Sequence, residues 1–313
     1  MMQLAEPAVR VEGLGRDFGS LSAVHNIAFD VRPGELFGLV GPDGAGKTTI
    51  LRMLAGVLRP TRGDAWLGGT SVARDPEGVK HRLAYMSQRF GLYSDLTVRE
   101  NLDFYADLYE VPRQERTARL ERLFAFSNLG PFQDRLAGKL SGGMKQKLGL
   151  SCALIHQPEI LLLDEPTFGV DPISRRDLWL IVHEMVAQGV TVIASTAYLD
   201  EAERFDRVAL LHAGRIVALD EPGALELAAG TLLSVETDHP REARVVLERL
   251  SEVISATRFG TRLHVRTAAD PAGAEPVVRS ALESAGVSVR SVALVTWSLE
   301  DVFIARLQAE PAA

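Results

Sequence analysis

The sequence predicts an α/β fold with a smaller α+β unit at its C-terminal end, and three observations predict it. Apolar runs of strand length alternate with stretches of helical period from residue 9 to about 225. The middle third is helical and interrupts that alternation as an insert. From Thr231 onward the order reads β-α-β-β-α-β, that of a small ferredoxin-like unit.

Composition supports a folded chain and narrows its partners. Hydrophobic residues are 46% of 313, enough for one large domain with an appendage or two modest ones. The single cysteine, Cys152, excludes a disulfide framework and a thiol-rich metal site, points to a reducing compartment, and reads most simply as a small buried helix residue. Residues 1–7 lack a basic segment followed by an apolar one, and no run of 18 apolar residues occurs. The expectation is a chain that neither spans a membrane nor enters a secretory path. A net charge of −7 gives no global attraction to nucleic acid or anionic lipid, so a membrane link would run through a protein partner.

The chain is organised around Gly41, Pro42, Asp43, Gly44, Ala45, Gly46, Lys47, Thr48 and Thr49, which follow the apolar run 36–40 and precede the helix-like run 50–54. This has the form of a P-loop. Its glycines let successive N–H groups point inward, and the helix adds its partly positive N-terminus to the same concavity. The expected occupant is a nucleoside triphosphate with a metal ion, Lys47 reaching the β- and γ-phosphates and Thr48 offering its hydroxyl to Mg²⁺.

Ahead of the loop, residues 9–31 hold short β-like runs at 9–11 and 23–31, with Phe18 between them. An exposed aromatic there could stack on a nucleobase, though an ordinary core phenylalanine is the plainer reading. The loop's helix is expected to run to Leu58 and stop before Pro60. After the β-like run 83–86 come Gln88 and, further on, Thr97 to Glu100 with the spacing of a capping box. Two helical patterns follow, one carrying Leu102, Tyr105, Ala106 and Tyr109, the other spanning about 113–126.

Ser141 can cap a helix whose first N–H groups lie beside Gly142 and Gly143, a second anion-binding helix end in the same chain. A single nucleotide does not obviously need two such ends on one molecule; if a second copy supplies this one, the two lie on opposite sides of the same phosphate. The buried-strand run 160–163 ends in Asp164 and Glu165. These carboxylates suit work on Mg²⁺ and activation of water, and can alternatively be helix caps. Beyond Gly169, Val170 and Asp171 lie a helix through Trp179 and Met185, a β-run at 191–196, and a closing hairpin around Ala213 and Gly214.

Taken in order and spacing, residues 9 to about 225 resemble the ATP-binding-cassette (ABC) ATPases. The P-loop, Gln88, the Leu140-Ser141-Gly142-Gly143 signature, the Asp164-Glu165 pair and Asp171 carry the resemblance. Residues 92–102 and 169–172 look like the daunorubicin-resistance-like, ABC-2-type exporter branch. The resemblance implies a P-loop NTPase core with an N-terminal antiparallel β-subdomain and an inserted helical subdomain at about 88–157. On this reading the nucleotide-binding domain is 7–228 and the α+β accessory domain 229–313. By the same resemblance Phe18 would stack on adenine and residues 41–49 would hold the phosphates. Thr48, Gln88 and Asp164 would serve magnesium and its waters, and Glu165 would activate water. Ser141, Gly142 and Gly143 would contact the γ-phosphate held by a second ATPase subunit, and Asp171 would occupy the D-loop place. Gln88 to Tyr93 would couple to integral-membrane permease subunits.

Two positions depart from the pattern. Asp43 stands where asparagine is commoner, and Ala197 stands where the family carries its switch histidine. A positioned acid–base group contributes about 10²–10⁴ in rate, so slow or asymmetric hydrolysis is expected. The expected protein is an ATP-hydrolysing exporter subunit, peripheral on the cytoplasmic face of the membrane, working as a homo- or heterodimer. Its alternative is an ATP-gated dimerisation or regulatory module with little turnover, paired with another ATPase. From Thr231 the chain has nine arginines, no lysine and eleven acids, hence no basic face for nucleic acid.

Overall fold

The computed structural model describes residues 6–88, 91–227 and 230–309. Met1 to Ala5, the Arg89 and Phe90 part of the expected coupling segment, and the 228/229 boundary fall outside the described residues. The chain divides into two compact units at Ile216/Val217.

The first unit opens with the antiparallel pair β1 (Val9–Phe18) and β2 (Leu21–Val31). The sequence suggests a first strand of only three residues. The strand instead continues to Phe18, because register shifts let it bend past Gly13, whose φ of 61° favours glycine. Next come β3 (Leu36–Val40), the glycine loop and α1 (Lys47–Leu54). Helix α1 ends four residues before the expected Leu58. Gly56 takes φ 66°, and the N–H groups of Val57 and Leu58 both return to the Arg52 carbonyl, closing the last turn well ahead of Pro60.

Strands β4 (Arg62–Leu67) and β5 (Thr70–Ser71) complete a four-stranded antiparallel sheet ordered β2-β1-β4-β5. Helix α2 (Pro76–Lys80) and strand β6 (Leu83–Met86) lead into the helices α3 (Val98–Leu108), α4 (Arg113–Ser127) and α5 (Gly142–Leu154). At the start of α3 the capping box is complete. The Thr97 hydroxyl accepts from the Glu100 N–H at 3.1 Å, while Glu100 accepts from the Thr97 N–H at 2.8 Å. Thr97→Ala removes one of these bonds, so we expect a loss of about 1 kcal/mol in chemical denaturation. An unchanged midpoint would show that the insert's stability does not depend on this cap.

The remaining elements of this unit are β7 (Ile160–Asp164), α6 (Pro172–Ala187), β8 (Thr191–Thr196), α7 (Leu199–Ala202) and β9 (Arg207–His212), followed by β10 (Arg215–Asp220), within which the division falls. They build a six-stranded sheet ordered β10-β9-β3-β8-β7-β6, parallel from β9 to β6. Strands β3, β7 and β8 are buried along their whole length, as continuous apolar runs in a parallel sheet must be. The register sets Val40 beside Thr196 and Asp164 beside Ser195, so the C-terminal ends of three central strands meet. Ligands of open α/β sheets bind at such ends.

After the end of β10, the second unit runs through α8 (Pro222–Leu227), β11 (Thr231–Glu236), α9 (Pro240–Leu247), β12 (Val253–Phe259), β13 (Arg262–Thr267), α10 (Pro271–Ser284), β14 (Ser291–Leu294) and α11 (Leu299–Ala309). Its sheet is ordered β12-β13-β11-β14 and antiparallel throughout. Leu233, Val235, Leu263 and Val265 pack against Leu247, Val278 and Leu282 of α9 and α10. Helix α11 is tied to β13 by His264 Nδ1 and Asp301 Oδ1, 2.7 Å apart.

Candidate active site

The loop between β3 and α1 supplies the cradle. Gly46 caps α1 at φ 100°, a left-handed conformation that a side chain would resist, and the Gly41 N–H donates to the carbonyl of Thr196 at 3.2 Å. Lys47 is only 4% exposed. Its Nζ donates to the carbonyls of Gly41 at 2.7 Å and Pro42 at 3.0 Å, and lies 3.2 Å from a Glu165 carboxylate oxygen. Asp43 and Gly44 lie exposed at the outer turn of the loop.

At the end of β7 the two carboxylates divide their surroundings. Asp164 is buried and accepts from the hydroxyls of Thr48 at 3.0 Å, Ser195 at 2.9 Å and Tyr85 at 3.2 Å. Burial, reinforced by the charge of Asp164, pushes the Tyr85 hydroxyl up to about 12, so it stays protonated and keeps donating. Glu165 has φ 48°, an uncommon conformation for a residue with a side chain, and its N–H donates to Ser195 Oγ at 3.0 Å. The backbone twist turns Glu165 away from Asp164 and toward Lys47. Its other oxygen accepts from Gln88 Nε2 at 3.0 Å. Neither carboxylate is a helix cap.

Lys47, Thr48, Gln88, Asp164 and Glu165 therefore form one connected group. Phe18 ends β1 and is 45% exposed, with the Arg16 guanidinium 4.7 Å above its ring. It is a surface aromatic and not a core one.

Ser141 caps α5, accepting from the Met144 N–H at 3.3 Å, and Asp171 caps α6, accepting from the Ser174 N–H at 2.9 Å. That backbone bond lowers the Asp171 carboxyl below its ordinary value. The two helix starts are neighbours: a Cβ on Gly143 would lie 2.3 Å from Ser174, so the glycine permits the contact. Among the described residues, no hydrogen bond or ion pair joins Ser141, Gly142 or Gly143 to the glycine loop. Ala197 is exposed directly after β8 and brings no polar side chain to the group.

Sequence reasoning missed Tyr85, Ser195 and Thr196. A serine or threonine at the end of an apolar strand was the available signal, but only the pairing of β8 with β7 and β3 shows what it touches.

The fold and the loop together define a P-loop NTPase. A family model described as "ABC transporter" matches residues 24–168. The daunorubicin resistance ATP-binding protein DrrA2 of Streptomyces coeruleorubidus is 34% identical over 95% of this chain and 94% of its own length. The chain thus belongs to the ABC transporter family, among its ATP-binding proteins. The probable multidrug ABC transporter ATP-binding protein YbhF of Escherichia coli (strain K12) is 46% identical over 78% of this chain, and the match spans 43% of that relative's length. A solved ATP-binding subunit of an ABC transporter superposes with a TM-score of 0.64 at 30% identity, covering 71% of this chain and 92% of its own. Among the described residues, no helix is long and apolar enough to cross a membrane.

Proposed function

We propose that the chain is the ATP-binding and hydrolysing subunit of an ABC-2-type exporter, driving a membrane permease through ATP-dependent dimer closure and opening. The observation that carries this reading is the connected group of Lys47, Thr48, Gln88, Asp164 and Glu165 at the mouth of the glycine loop. Residues 41–49 and the N-terminus of α1 bind the phosphates, and Phe18 stacks on the adenine. Lys47 places its ammonium between the phosphate cradle and the base. Thr48 and Asp164 offer hard oxygen donors 3.0 Å apart, a pairing that fits magnesium with waters completing its shell. Bound there, the ion would neutralise charge on the transferred phosphoryl group. Gln88 orients Glu165 and is the remaining candidate for the ion's waters. Glu165 takes the proton of the attacking water.

The helix end at Ser141 to Gly143 is exposed at Ser141 and Gly142 and, among the described residues, makes no hydrogen bond to this chain's own loop. It fits the γ-phosphate of a second ATPase subunit, of this or another chain, with Asp171 beside it at the same face. ATP then acts as a ligand that prefers the closed pair, and hydrolysis releases it. The remaining partners are integral-membrane permease subunits, with the chain peripheral on the cytoplasmic side and no nucleic acid involved. Relatives named for daunorubicin resistance and Nod factor export support the exporter reading.

Steady-state ATP hydrolysis by the purified chain tests the proposal. We expect slow turnover by the wild type and a rise of about tenfold or more in Ala197→His, since a positioned acid–base group contributes about 10²–10⁴. ATP binding with no turnover in the wild type, alone or with its permease, would overturn the motor reading.

A further inference from the structure

We propose that Glu201 is a positioning residue for hydrolysis, holding the turn after Glu165 and the loop at Ala197 in register with the phosphate-binding loop. The proposal rests on the ATPase reading above. Glu201 lies on α7, is 1% exposed, and touches none of the candidate catalytic side chains. It nevertheless fills both carboxylate oxygens. One accepts from the Trp179 indole at 3.1 Å; the other accepts from the Thr196 hydroxyl at 2.6 Å and the Thr167 hydroxyl at 3.1 Å. The Arg175 Nε stands 3.5 Å from the first oxygen.

Those partners are the segments that shape the site. Thr167 lies two residues after Glu165, in the turn closed by the bond from the Phe168 N–H to the Glu165 carbonyl at 3.1 Å. Thr196 ends β8. Its carbonyl receives the Gly41 N–H, and its neighbour Ser195 bonds both Asp164 and the Glu165 N–H. Trp179 and Arg175 belong to α6, whose first turn is capped by Asp171. One buried carboxylate thus joins the Glu165 turn, the end of β8 and the helix behind Asp171.

The position of Ala197 sharpens the inference. Alanine has no polar side chain with which to anchor the loop, so the loop is held by its flanks. The Tyr198 N–H donates to Thr196 Oγ1 at 3.0 Å, and the Arg175 guanidinium sits 4.4 Å above the Tyr198 ring. Both flanks lead back to Glu201. Buried polar networks of this kind rigidify what they join, and small displacements of a reacting group cost rate out of proportion to their size.

The test uses the full chain and Glu201→Gln. Glutamine keeps an oxygen for the two threonines but turns an NH₂ toward the Trp179 N–H, donor against donor. We expect kcat to fall by about 10–100-fold with the KM for ATP within about twofold, because the cradle itself is untouched. The double variant Glu201→Gln/Trp179→Phe removes the nearer of the two opposing donors, with Arg175 Nε remaining, and should recover part of the lost rate. Hydrogen exchange gives a readout independent of turnover. The amides of Glu165, Phe168 and Tyr198 should exchange faster in Glu201→Gln, while those of α9 and α10 should not. A lowered melting temperature with unchanged kcat and unchanged exchange at those three amides would overturn the proposal and leave Glu201 a purely structural residue. If the wild type itself shows no turnover, the ATPase reading fails, and the three amides still decide whether Glu201 positions this turn and loop.

Discussion

Replacing Glu165 by glutamine is expected to lower steady-state ATP hydrolysis by about 10²–10⁴-fold while leaving ATP binding close to wild type. The direction follows from what the side chain touches. One carboxylate oxygen lies 3.2 Å from Lys47 Nζ and the other accepts from Gln88 Nε2 at 3.0 Å. Glutamine is nearly the same shape, so the φ of 48° and the N–H bond to Ser195 are retained. It cannot take a proton from water, and chemistry stops at a site still able to hold nucleotide. Measuring kcat beside the affinity for a fluorescent ATP analogue separates the two effects. A variant that turns over within a few-fold of wild type would show that another group is the base.

Gly41→Ala should abolish nucleotide binding and destabilise the first unit. A Cβ at this position would lie 2.2 Å from the carbonyl oxygen of Leu211 and 3.2 Å from the Ala45 side chain. The first contact is backbone in the interior of β9, which cannot swing aside like a side chain. The loop must therefore move away from the sheet, at about 1–3 kcal/mol for overpacking, taking the Gly41 carbonyl that Lys47 binds with it. Gly44→Ala is the comparison. Gly44 has φ 80° with open space around it, so the cost there is backbone strain alone, about 1–2 kcal/mol. Thermal unfolding with and without ATP distinguishes them. Gly44→Ala retains a stabilising shift on adding ATP, and Gly41→Ala loses it. Equal shifts in both would mean that the approach of Gly41 to β9 does not set the cradle.

Several features were legible in the chain because residues close in sequence determine them. The glycine loop needs only its own glycines and the helix that follows. The capping box at Thr97 and Glu100, the cap at Ser141, and the element order from Thr231 to Leu294 are likewise local. Local signals also erred where a second one competed. Pro60 was the visible stop for α1, but the left-handed Gly56 acted first.

The tertiary structure alone decided which of these pieces meet. Thr48 and Asp164 are separated by 116 positions and come within 3.0 Å because β3, β8 and β7 lie side by side in that order. Nothing in three nearly uniform apolar runs encodes their order or register, since every face of a buried parallel strand looks alike. The same pairing sets Ser195 against Asp164 and Thr196 beside Val40 at the head of the loop. Glu201 was invisible for a related reason. In sequence it is one acid among several after Ala197, and only the packing of α7 against β3 and β8 buries it and aims the hydroxyls of Thr167 and Thr196 at its carboxylate. The sequence by itself determined the chemistry available to this protein; the strand order determined which groups stand close enough to use it.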